Sequence, residues 1–112
     1  MTRHDLYRAP TTSRCFRIDI EAGEAFTANS SDYHEFTIRL VRVGQSTGEK
    51  VGSTYSLSDR SLVANEPVTV YDDAVGLAMT DGEILALYID ETGSPTILER
   101  VVVWMDVQPA AR

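Results

Sequence analysis

Two histidines, a single cysteine and a series of acidic turns are the groups in this 112-residue chain best suited to chemistry. His34 lies in the run Asp32-Tyr33-His34-Glu35. In a strand, neighbouring side chains point to opposite faces, so Glu35 diverges from His34 while Asp32 shares its face and can form an ion pair with it. A metal site or a general base needs further converging ligands, and neither this run nor His4 supplies them. The expectation is a surface histidine. Cys15 has no partner for a disulfide or a CxxC knuckle and reads as a half-buried structural thiol. Ser13, Ser53, Ser56 and Ser58 stand outside any G-x-S-x-G context, so nucleophilic catalysis has no support. The acidic turns are Asp72-Asp73, Asp81-Gly82-Glu83, Asp90-Glu91 and the Glu21/Glu24 pair. They lack EF-hand spacing and read as solvated carboxylates rather than calcium ligands. The chain is therefore expected to be no enzyme and to hold no metal or cofactor.

Charge narrows the partners. The net charge is −7, from ten basic and seventeen acidic residues, and a nucleic-acid binder needs a basic face. The charge is uneven: residues 1–17 carry Arg3, Arg8, Arg14 and Arg17 against Asp5 alone, a local +3 on a body of −10. Residues 1–14 are polar, broken at Ala9-Pro10, and lack the apolar periodicity of a core strand. They read as an extended arm lying along another subunit. In that reading Arg3, Arg8 and Arg14 meet carboxylates, and Leu6 with Tyr7 fills an apolar groove. No apolar run has the length of a membrane span, and the start has no signal-peptide core, so neither a membrane nor a secretory route is expected.

The elements that must position these groups alternate with a period of two. Residues 15–20, 25–28, 34–43, 51–57, 67–71, 75–79, 84–89 and 101–107 read as strands, separated by turn residues. A bulge near Leu40-Val41 accounts for a slip of phase in the third. Asp72-Asp73 reads as the turn between 67–71 and 75–79. Residues 80–107 read as turn, strand, turn, strand, with Asp90-Glu91-Thr92-Gly93-Ser94-Pro95 reversing the chain. The predicted core is Phe16, Ile18, Ile20, Phe36, Ile38, Leu40, Leu85, Leu87, Ile89, Val101, Val103 and Met105. Ile84, Ala86 and Tyr88, with Val102 and Trp104 across the expected hairpin, give a second apolar face. Either another segment of the chain covers that face or a partner protein does. The fold class is all-β: one antiparallel β-sandwich, jelly-roll or immunoglobulin-like, of about eight strands over residues 15–108. An N-terminal arm over 1–14 and a tail over 109–112 complete it.

Three stretches carry a resemblance: 29–40 (NSSDYHEFTIRL), 65–70 (NEPVTV) and 80–95 (TDGEILALYIDETGSP). Together they resemble the small β-sandwich accessory proteins of tailed bacteriophage virions, over about residues 25–107. Asp81-Gly82-Glu83 departs from the Gly-Asp more usual there, and the arm lies outside the pattern. The resemblance implies a non-enzymatic virion protein assembled in the host cytoplasm, a capsid decoration or minor capsid protein. Its partners would be other virion proteins, chiefly the major capsid protein, and further copies of itself. A minor tail or tail-tip protein is the nearest variant. A different class, a carbohydrate-binding module on the same fold, would use Trp104, Tyr88 and Tyr55 as stacking platforms.

Overall fold

A computed structural model describes residues 2–109. Its seven strands are β1 (Thr2–Arg8), β2 (Ser13–Glu21), β3 (Tyr33–Val41), β4 (Glu49–Ser56), β5 (Val68–Met79), β6 (Ile84–Thr92) and β7 (Val102–Pro109). They form two antiparallel sheets, ordered β1-β6-β3-β4 and β5-β2-β7. Ile18 and Ile20 from one sheet and Phe36, Ile38, Leu40, Leu85 and Leu87 from the other share one buried cluster, so the sheets enclose a common core. Val101, Val103, Met105 and Ile89 pack on its margin, half-buried. The alternation in each strand produces this arrangement, because one face of each sheet is apolar and has only the other sheet to meet.

The first correction concerns residues 1–14. Residues 2–8 are not an arm on another subunit but an edge strand of this chain's own sheet, paired from Thr2↔Ile89 to Arg8↔Ile84. Ser13 and Arg14 already belong to β2. The apolar period is missing because β1 carries a register shift between Asp5 and Tyr7, which lets both Leu6 and Tyr7 pack on the core. Ala9, fully buried, anchors the turn that follows by exchanging backbone hydrogen bonds with Glu83 and Gly82.

The strand count also differs. Residues 25–28 make only an isolated bridge, Phe26↔Leu62. The expected turn at Asp72-Asp73 is instead a wide bulge inside one long strand, β5. The Asp73 carboxylate accepts hydrogen bonds from the amides of Val75 and Gly76 and from the Tyr71 hydroxyl, each at 3.1 Å, and so takes the place of ladder partners. Gly76, at φ +91°, gives room for Phe16, whose ring would stand 2.9 Å from a Cβ at that position. Phe16 is therefore half-buried beneath the bulge rather than in the core. A register shift in β2 between Cys15 and Arg17 turns Cys15 inward with Ile18.

Residues 84–107 do not form a hairpin. β6 and β7 lie in opposite sheets, and residues 93–101 cross between them. With their apolar faces opposed across the core, Leu85 and Leu87 meet the layer carrying Val103 and Met105; a hairpin would have placed them side by side. Nor is there a bulge at Leu40-Val41, since β3 stays in register with β6 through Val41↔Ile84. Both residues are buried because they face two different clusters, Leu40 inward and Val41 outward with Ala86 and Tyr88. The shift lies instead between β3 and β4, from Phe36↔Tyr55 to Ile38↔Val51. The strand order is not that of an immunoglobulin constant domain, in which the first, second, fifth and fourth strands share a sheet.

Candidate functional site

The seven residues expected to bind a partner divide sharply. Arg3 pairs with Asp5 at 2.6 Å and donates to the Ser46 carbonyl at 2.7 Å. Arg8 donates to the Gly82 carbonyl and Arg14 to that of Gly76. Leu6 and Tyr7 are half-buried on their own core. Tyr88, on the outer face of the β1-β6-β3-β4 sheet, is 4% exposed. Its hydroxyl donates to the Thr47 carbonyl at 3.3 Å, and the Arg39 guanidinium lies 5.4 Å from its ring centre. The β3–β4 loop thus folds back over this face and covers it with the chain's own residues.

Trp104 alone among the seven presents a large apolar side chain to solvent, at 56% exposure, with Val102 beside it at 43%. Both point away from the core, since Val103 and Met105 alternate inward. On β2, Asp19 stands opposite Trp104 and Glu21 opposite Val102, with Arg17 next along, opposite Asp106. Glu21 accepts the indole N–H of Trp104, while Arg17 pairs with Asp19 at 2.8 Å and donates to Thr69 of β5 at 2.9 Å. The aromatic ring is therefore held by a polar frame rather than left to rotate. β7 is an outermost strand, bonded to β2 along one side only among the described residues. Asp106 is its one charged residue, so it has little of the charge that usually guards a sheet edge. The aromatics proposed as sugar platforms do not share a surface: Tyr88 is covered, and Tyr55 stacks on Phe36 beneath Arg60.

A second feature was not legible in the sequence. One end of the space between the sheets opens into a cavity of about 390 Å³, lined by Leu87, Val101 and Val103, with His4, His34 and Glu91 around it. His34 is not a surface residue; it is 3% exposed, edge-on to Phe26 at 5.3 Å. Its Nε2 lies 2.8 Å from the Thr96 carbonyl, which can only accept, so Nε2 carries the proton. Among the described residues Nδ1 has no hydrogen-bond partner, and the nearest carboxylate oxygen of Glu91 stands 3.8 Å off. Asp32, expected to pair with His34, instead accepts the Ser94 amide at 2.8 Å. The His34–Glu91 juxtaposition arises from the pairing of β3 with β6, far apart in the chain, and no local spacing announces it.

The chemistry these groups can perform is limited. A nucleophile–base pair needs a hydroxyl or thiol hydrogen-bonded to a ring nitrogen. His34 commits one nitrogen to a carbonyl and leaves the other without such a partner among the described residues. Cys15 is fully buried, and burial pushes its thiol up to about 11, which keeps it neutral and unreactive. Among the described residues no group of three or more His, Cys, Asp or Glu is placed to hold a metal ion. Glu83 corrects the expectation of solvated turn carboxylates. It is 3% exposed, accepts the Thr80 amide at 2.6 Å and meets Arg42 at 2.9 Å. The Thr80 amide, ahead of Arg42, holds this carboxyl below the usual carboxylate range. Its role is to close the turn into β6. Neither protein-family models, curated proteins nor solved structures match this chain.

Proposed function

We propose that the protein is a non-enzymatic assembly component of a bacteriophage particle, a capsid decoration or minor capsid protein. In this reading it docks on the assembled shell through the outer face and open edge of β7. The observation that carries it is the exposure of Trp104 and Val102 together on an outermost strand. Tryptophan contributes large contact area with a polar tip and is enriched among the residues that dominate interfaces. Around it Asp19, Glu21 and Asp106 outweigh Arg17, which pairs with Asp19, so the rim is acidic on balance and favours a partner surface carrying arginine or lysine. The pattern shared with virion accessory sandwiches supplies the choice of particle, with the major capsid protein as the principal partner. Mass spectrometry of density-purified particles from cells that make the protein tests this reading. Recovery in fixed ratio to the major shell protein supports it; recovery only in the soluble fraction overturns it.

A further inference from the structure

We propose that the cavity between the sheets is a binding site for a small organic ammonium ion, a primary amine on an aliphatic or aromatic body. This is independent of the docking role of β7.

The cavity, at about 390 Å³, falls within the size range of small-molecule sites and has their usual construction, apolar walls with a few polar groups. Leu87 of β6, Val101 and Val103 supply walls from both sheets, so an inserted hydrocarbon would complete a core that is otherwise left open at this end. The polar groups specify the head. In the neutral ring His34 Nδ1 is a lone-pair acceptor, because Nε2 holds the one ring proton for Thr96. It is buried and, among the described residues, unsatisfied, a state that natural proteins rarely leave without a purpose. The carboxylate of Glu91 is a second acceptor, 3.8 Å from the first. Two acceptors at that separation make no hydrogen bond with each other. A single NH₃⁺ group can bridge them, donating to each at about 2.9 Å. Glu91 is more than half exposed, so its side chain is free to adjust around the incoming head. A carboxylate head would meet like charge, and an alcohol could satisfy one acceptor but would gain no charge pairing.

The test uses the full chain and three probes of one length: n-hexylammonium, 1-hexanol and hexanoate, titrated while methyl and histidine resonances are followed by NMR. The expected result is saturable binding of hexylammonium with shifts centred on Leu87, Val101, Val103 and His34, weaker binding of hexanol and none of hexanoate. Glu91→Gln, at an exposed position, should weaken hexylammonium by about fivefold or more and leave hexanol within about twofold. Hexanoate binding as well as the amine, shifts centred elsewhere, an amine affinity unchanged by Glu91→Gln, or no saturable binding of hexylammonium would each overturn the proposal.

Discussion

The Tyr88 hydroxyl donates to the backbone carbonyl of Thr47 at 3.3 Å, tying the outer face of β6 to the loop between β3 and β4. The same loop accepts Arg3 at Ser46 and Arg39 at Gly48. The second apolar face of β6 is thereby closed by the chain itself. Tyr88→Ala should cost about 3–5 kcal/mol, as for other buried aromatics, and Tyr88→Phe only about 0.5–1.5 kcal/mol for the lost hydrogen bond. Urea denaturation measures both. A cost near zero for Tyr88→Ala would mean that the loop does not cover this face in solution.

Period-two alternation was enough to identify an all-β chain and most of its core: Ile18, Ile20, Phe36, Ile38, Leu40, Leu85 and Leu87 are buried as their phase requires. What it could not supply was pairing. The partnership of β6 with β3 and β1, rather than with β7, depends on contacts remote in sequence, and so does the meeting of His34 with Glu91. β1 was missed because a bulge disrupts its pattern, and β5 was split because Asp73 imitates a turn while holding a bulge. Trp104 could be placed on an outward face from its phase alone. Tyr88 has the same phase signal yet is covered, because a loop's path is not written in a strand's alternation.

β1 belongs to the fold, so its loss should be felt as stability. Removal of residues 1–8 exposes the β6 edge and uncovers core that Leu6 and Tyr7 protect. The shortened chain is expected to lose its cooperative thermal transition. An unchanged Tm would show that β1 is dispensable.

Glu83 links stability to pH. Its folded-state pKa lies below the unfolded value, so its contribution is full above the ordinary carboxylate range and is lost as pH falls through the folded pKa. Glu83→Gln should destabilise by about 1–3 kcal/mol at neutral pH, the scale of hydrogen bonds to a charged group. The difference from the parent protein should shrink in acid. A difference that stays constant from neutral to strongly acidic pH would contradict this.

Cys15 should be silent in the folded protein. With the thiol buried and its pKa raised to about 11, a thiol reagent applied at about pH 8 should react only as fast as the protein unfolds. The same reagent should modify it at once in urea. Rapid stoichiometric labelling of the native chain would place Cys15 at the surface instead.

The most direct test of the docking role is the binding of purified protein to particles stripped of it, read by co-sedimentation for the parent and for Trp104→Ser. Trp104 is more than half exposed, so the substitution should leave Tm nearly unchanged. If the β7 face docks the particle, affinity should fall about thirtyfold or more, the scale of a dominant interface tryptophan. Equal binding by the two proteins, with Tm preserved, would contradict the assignment of this face.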